Sequence, residues 1–311
     1  MNIAIFGSGG VGGYFGARLQ QAGEEVAFVA RGAHLAAMRD AGLAIESPLG
    51  DARLQVRASD DPTELGPADV VLVATKTYQL GEVVQSIGPL LHDDSLIVPL
   101  LNGVEAAERL EAGVHRGTVA GGLCRIVAFI AAPGTIRHVG AEPSVAFGLR
   151  GGRQDERVER LAAAFRRAGV TVDTPSDIDE ATWSKFLFVV GWGAVGAVSR
   201  APLGILLHHD GTRELLRRAL EEIRAVAAAR GVELGGDAVD LALAAYERFP
   251  AEATTSLQRD LAEGRRSELN DWSGAVVRLG RDAGVDTPVH DFVTAALTPL
   301  DRRAGGEITF A

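Results

Sequence analysis

The 311-residue chain exceeds the usual size of one hydrophobic core, so two domains are expected, and 47% hydrophobic with 23% charged residues is a globular balance, neither disordered nor membrane-like. A formal net charge of -10 excludes nucleic-acid backbones and anionic membrane surfaces as general partners, because both need clustered Lys and Arg. The single cysteine, Cys124, excludes a disulfide framework and a thiolate metal cluster, and fits a reducing, cytoplasmic setting.

Residues 2–6, NIAIF, read as a short strand that runs straight into a glycine turn, with no basic or cleavable apolar leader. No uncharged run reaches about 18 residues, the length that spans a bilayer. The turn is Gly7, Ser8, Gly9, Gly10, Val11 and Gly12, and VGGYFGARLQQAG after it reads as a helix. In G-S-G-G-V-G the first glycine permits a tight turn, the second lets a pyrophosphate approach the backbone, and the third lets helix and strand pack closely. The helix N-terminus then offers N–H groups to the phosphates. A dinucleotide-binding turn is expected, with an ordinary glycine turn as the bland alternative.

The second strand, EVAFVA, ends on Arg31, and no acid stands between Val26 and Arg39. A ribose 2′-hydroxyl needs an acceptor at this place, whereas a 2′-phosphate needs a cation. The guanidinium fork of Arg31 suits the phosphate, so NADP(H) is expected over NAD. The alternative is a solvated arginine at a strand end.

Further along, DVVLVAT, SLIVPLL and VTVDT continue the alternation of strands with helices, which argues for a parallel sheet covered by helices. LAIES, ARLQVRAS, GTIRHVG and SVAFGLR read as extra strands of the same domain, some of them antiparallel. Lys76 and Asn102 follow two of the parallel strands, where open sheets place their ligands. Asn102 with Gly103 is equally good turn chemistry. Pro175 and a cluster of Asp residues mark a boundary, giving domains 1–176 and 177–311.

Beyond Asp177 the chain reads as helical throughout. In WSKFLFVVGWGAVGAVSR, Lys185 is the only charge between Glu180 and Arg200. An ammonium on so apolar a helix is costly unless it is paired or reaches water, which suits a catalytic lysine and equally a snorkelling one. Glu268, in RRSELNDWSGAVV, either partners a buried cation or caps the helix it begins, while Ser267, Asn270 and Asp271 read as surface. The histidines lack metal-ligand spacing, so no metal site is expected. Apolar faces on TRELLRRALEEIRAVAAARG and SELNDWSGAVVRLGRDAG are surfaces that a homodimer could use.

Taken in order, GSGGVGGYFGARL, Arg31-Gly32, ATKTYQ, LLNGVE, WSKFLF, TTSLQRDL, RRSELN and GVDTPVHD resemble the ketopantoate reductase (2-dehydropantoate 2-reductase) family along essentially the whole chain. The resemblance implies an α/β protein: an N-terminal Rossmann domain with a doubly wound sheet, a C-terminal all-helical domain like that of 6-phosphogluconate dehydrogenase, and an NADPH-bearing cleft between them. It implies reduction of a 2-keto acid by hydride transfer to the carbonyl carbon, with 2-dehydropantoate to pantoate, a step of pantothenate biosynthesis, as the leading reaction. By the same resemblance Lys185 is the lysine that protonates the carbonyl oxygen, Glu268 is the acid near it and the substrate hydroxyl, Lys76 and Asn102 line the nicotinamide end, and Ser256 is a substrate-side serine.

The chain departs from the family at one wall. Pantoate-forming members carry asparagines where this chain has Val189, Gly193 and Leu203. Residues 185, 189 and 193 share a helical face, so the surroundings of the lysine have become apolar. A more apolar keto acid or ketone is therefore the alternative substrate, since unpaired polar groups cost discrimination. A non-catalytic NADP-binding sensor is a further alternative, which needs neither Lys185 nor Glu268, and oxidation of a hydroxy acid would use the same site in reverse.

Overall fold

The computed structural model describes residues 1–310, leaving aside the side chain of Ala141. The chain folds as two compact units: Met1–Leu101 with Ala106–Ile178, and Asn102–Glu105 with the stretch from Asp179 onward.

The first unit runs β1 (Asn2–Phe6), α1 (Gly10–Gln21), β2 (Glu25–Val29), α2 (Gly32–Ala41), β3 (Leu43–Glu46), β4 (Ala52–Leu54), β5 (Arg57–Ser59), β6 (Val70–Val73), α3 (Leu80–Ser86), β7 (Leu96–Pro99), α4 (Ala106–Gly113), β8 (Thr118–Val119), β9 (Gly121–Ala132), β10 (Thr135–Gly148), α5 (Glu156–Arg167) and β11 (Thr171–Asp173). Six strands form one sheet in the order β5-β2-β1-β6-β7-β8, and every pairing in it is parallel. The order reverses at β1, between β2 and β6. That is the Rossmann arrangement, and its ligand crevice opens at the C-terminal end of the strands at the reversal.

Alternation along β1 divides the core. Ile3 and Ile5 point to one face, with Tyr14, Phe15 and Leu19 of α1, while Ala4 and Phe6 point to the other, with Leu80 and Val83 of α3. Burial on both faces explains why these strands are continuous apolar runs.

The second sheet is mixed, in the order β11-β10-β3-β4, with β9 pairing antiparallel to β10. Its Leu43, Ile45, Ile136 and Val145 join the core on the α1 side, so Gly12 to Leu19 are all buried. Three readings from sequence change here: ARLQVRAS, read as one extra strand, splits into β4, antiparallel to β3, and β5, a parallel edge strand of the first sheet. VTVDT, expected among the parallel strands, is an edge strand of this second sheet, pairing Ser144–Ala146 of β10. It is short and largely exposed, so it lacks the continuous apolar run of a strand covered on both faces. GTIRHVG and SVAFGLR merge into one 14-residue strand whose pairing with β9 is interrupted by register shifts.

The second unit contains α6 (Ile178–Ser199, its first residue grouped with the other unit), α7 (Leu203–His208), α8 (Asp210–Ala229), α9 (Ala238–Tyr246), α10 (Ser256–Ala262), α11 (Ser273–Ala283) and α12 (Pro288–Ala304). Among the described residues no strand follows Asp173. The 22-residue α6 is long and apolar enough to cross a membrane by length and composition, with a window hydropathy of 1.3, yet 61% of that window is buried within the protein. It serves as a core helix: Phe186, Leu187, Val190, Ala194 and Val195 pack against α8, α9 and α11. The apolar faces of α8 and α11 are buried in the same core.

Candidate active site

β1 delivers the chain to Gly7, whose φ of +100° is open to glycine alone at low cost. The Gly7 N–H and the Ser8 hydroxyl both donate to the Val29 carbonyl at the end of β2, at 3.3 and 2.9 Å. Ser8 is thus buried and engaged inside the protein, holding the turn against β2.

A Cβ on Gly12 would overlap the Gly7 carbonyl oxygen and approach Ile5 Cγ2 to 2.8 Å, and one on Gly10 would overlap the Ala128 carbonyl of β9. Gly9 differs: a Cβ there meets nothing within 4 Å, and its φ of -71° and ψ of -159° suit any residue. Packing within the protein thus requires Gly10 and Gly12 but not Gly9. Open space at Gly9 is where an outside group can approach the backbone.

α1 begins at this point with no side-chain cap and no acid in its first turn. Its leading N–H groups have no intrahelical acceptors and lie at the positive end of the helix dipole, with Val11 half-buried in that first turn. The turn has the features of a pyrophosphate cradle.

Arg31 occupies the N-cap of α2, half exposed, and its Nη1 donates to Glu82 Oε1 at 2.6 Å. Glu82 escaped the sequence reading. Lys76 lies three residues past β6, half-buried, and its backbone N–H donates to the Gln79 side chain at 3.2 Å across a short 3-10 turn, Thr77–Gln79.

In the second unit a polar chain crosses an apolar interior. Lys185, on α6 and 9% exposed, donates from Nζ to Asn102 Oδ1 at 2.9 Å. Asn102 Nδ2 in turn donates to Glu268 Oε2 at 3.3 Å, and Glu268 is 4% exposed. Charges buried to this degree require partners, and the amide offers its acceptor to the cation and its donor to the anion.

Glu268 does not begin a helix as the sequence suggested. It precedes a 3-10 turn, Leu269–Asp271, and α11 starts at Ser273. Ser267 and Asp271 are buried, not surface, and Asn270 alone of that group is exposed. Ser267 donates from its backbone N and its hydroxyl to Asp301 Oδ1 of α12, at 2.7 and 2.6 Å, which anchors the segment that carries Glu268.

Ser256 is not part of this chain. It is the first residue of α10, half-buried, beside the cap residue Thr255. Thr255 Oγ1 accepts from the Gln258 N–H at 3.3 Å, and Gln258 Nε2 donates to the Ala201 carbonyl at 3.0 Å, so the start of α10 is tied to the segment after α6.

Comparison with known proteins accounts for both units. The family model "Ketopantoate reductase PanE/ApbA" matches residues 3–152, and "Ketopantoate reductase PanE/ApbA C terminal" matches residues 177–301. The chain belongs to the ketopantoate reductase family. It is 32% identical over 321 residues to a 2-dehydropantoate 2-reductase of Mesorhizobium japonicum, covering 96% of this chain and 98% of that one. A PanE/ApbA family ketopantoate reductase from Ralstonia eutropha JMP134 superposes with a TM-score of 0.90 at 32% identity, covering 98% and 100% of the two chains. A D-mandelate dehydrogenase solved with NADH and anilino(oxo)acetate shares the fold, with a TM-score of 0.89 at 22% identity over 98% of this chain and 99% of that one.

As a member of the ketopantoate reductase family, the protein is an oxidoreductase acting on a CH–OH group, and the family works with a nicotinamide cofactor. Val189 and Gly193 follow Lys185 by about one and two turns of α6. Val189 is half-buried, and Leu203, at the start of α7, is fully buried. A Cβ on Gly193 would lie 2.7 Å from Cζ3 of Trp272 and 3.4 Å from Thr255 Oγ1.

Trp272, which sequence reasoning missed, is 2% exposed, and its backbone N–H donates to the Glu268 carbonyl at 2.9 Å. The indole therefore fills the space that a side chain at 193 would need. Among the described residues, the buried indole N–H groups of Trp192 and Trp272 have no hydrogen-bond acceptor.

Proposed function

We propose that the protein reduces a 2-keto acid with NADPH, with 2-dehydropantoate to pantoate as the leading reaction. The observation that carries this reading is the buried chain from Lys185 through Asn102 to Glu268, because binding a dinucleotide alone requires neither charge. Residues 1–176 form the NADP-binding domain and 177–311 the helical catalytic domain.

Gly7 to Gly12 and the start of α1 hold the pyrophosphate, and Arg31 meets the 2′-phosphate. Lys76 and Asn102 stand at the nicotinamide end. When bound, the nicotinamide supplies the hydride. Reduction of a carbonyl builds negative charge on its oxygen. The Lys185 ammonium stabilises that charge and gives the oxygen its proton. Asn102 Oδ1 keeps the ammonium oriented, and Glu268 holds Asn102 from the other side while accepting a hydrogen bond from a substrate hydroxyl. Ser256 contributes a further hydroxyl to the substrate. The setting is cytoplasmic, with a homodimer as the assembly.

A second reading, a more apolar 2-keto acid, is favoured by the Trp272 indole packed at Gly193 and by Val189. Both readings are tested by NADPH oxidation with 2-dehydropantoate and apolar 2-keto acids side by side. Efficient turnover of 2-dehydropantoate supports the first. Preference for an apolar acid supports the second, and NADPH binding without turnover of any of them overturns both.

A further inference from the structure

The ion pair between Arg31 and Glu82 joins two strand ends. Arg31 follows β2 and caps α2, and Glu82 lies in the first turn of α3, which follows β6. β2 and β6 are the neighbours of β1 on either side, so the pair bridges the reversal point of the sheet, beside the glycine turn. Both side chains are about half exposed, 51% and 52%. A pair this exposed adds little to folding, and its consequence falls on the ligand.

A 2′-phosphate can reach the Arg31 guanidinium only by displacing the Glu82 carboxylate or by sharing Arg31 with it. In either case two anions stand close together, and their repulsion opposes binding. A ribose carrying only hydroxyls brings no second anion, and the Glu82 carboxylate, held beside Arg31, is an acceptor that a hydroxyl can use.

We propose that Glu82 is a specificity-determining residue for the cofactor. It neutralises Arg31 and offers an acceptor to an unphosphorylated ribose, so the protein binds both nicotinamide dinucleotides with only a modest preference for the phosphorylated one. This proposal rests on Arg31 as the 2′-phosphate ligand. The unpartnered Arg31 that the sequence alone suggests is, in the folded protein, paired with a carboxylate 51 positions away.

The test is the dissociation constant of NADPH and of NADH, read from nicotinamide fluorescence, for the full-length protein and for Glu82→Gln and Arg31→Ala. Glu82→Gln should tighten NADPH about tenfold and leave NADH unchanged or slightly weaker. An unchanged ratio of the two constants in Glu82→Gln overturns the proposal. Arg31→Ala separates the two levels: loss of NADPH preference there with no effect of Glu82→Gln removes Glu82 alone. Equal losses of both cofactors in Arg31→Ala remove the 2′-phosphate reading and the proposal with it.

Discussion

Replacing Gly9 by alanine separates a glycine kept for folding from one kept for a ligand. The added Cβ enters open space and the backbone is already extended, so no clash or strain follows. Two small terms remain. Alanine is a poorer N-cap than glycine by roughly 0.5–1 kcal/mol, and it removes about 0.4–1 kcal/mol of backbone entropy from the unfolded chain. These oppose each other, so stability in a urea titration should stay within about 0.5 kcal/mol of the parent. NADPH affinity should fall at least about tenfold, because a methyl group now occupies the approach of the pyrophosphate to the backbone. Gly12→Ala gives the contrast: its Cβ overlaps the Gly7 carbonyl oxygen, so it should lose about 3 kcal/mol of stability, the upper end of overpacking costs. The measurements are paired, a denaturation curve and a fluorescence binding isotherm on each variant. If Gly9→Ala binds NADPH as tightly as the parent, the pyrophosphate does not lie against this turn and the assignment of the cradle is wrong.

Lys185→Met should lower kcat by about a thousandfold with the NADPH dissociation constant unchanged, the range expected when a general acid is removed; retention of most of the rate would take Lys185 out of the chemistry. Val189→Asn should fold normally and raise the efficiency of 2-dehydropantoate relative to apolar acids, whereas Gly193→Asn should lose roughly 1–3 kcal/mol against the Trp272 ring, visible as a lower Tm. Acid should destabilise the second unit through His290, which is fully buried, contacts Ser273 Oγ at 3.2 Å and the Ala219 carbonyl at 3.1 Å, and has its pKa pushed down by burial to about 4. A depressed histidine binds its proton more readily unfolded, so stability present above about pH 6.5 is lost as pH falls toward 4, amounting to about 2 kcal/mol between pH 7 and 5. Glu222, whose pKa burial raises, acts in the opposite sense, so a His290→Asn variant that keeps the full acid slope would refute the assignment.

Much of the first unit was legible because β1, β2, β6 and β7 are short apolar runs between turn residues and announce themselves locally, whereas the edge strands β5, RAS, and β8, of two residues, do not. Sheet membership was less legible. VTVDT is β-branched like DVVLVAT but lacks its continuous apolar run, and its pairing with β10 places it in the second sheet. The same limit applies to GTIRHVG and SVAFGLR, which are one strand because β9 runs alongside both.

At the site, legibility follows the range of the interaction. Gly7 is marked by its own positive φ and Gly12 by its contact with Gly7 and Ile5, so the motif reads directly there, whereas Gly10 is required by Ala128 of β9, far along the chain. A lysine on an apolar helix states only that some partner must exist, since burying an unpaired ammonium is too costly. Which partner it finds depends on Asn102, 83 residues earlier, and on Glu268, 166 residues beyond Asn102. Gly103, at a φ of +106°, turns the chain immediately after Asn102, and residues 102–105 group with the helices rather than with the sheet they leave. Arg31 shows the converse. Its position after β2 is read directly from the sequence, but its ion pair with Glu82 of α3 leaves no local trace there. Residues of a local motif are written side by side in the sequence, whereas a partner such as Glu82 reaches Arg31 only through the fold, across 51 positions.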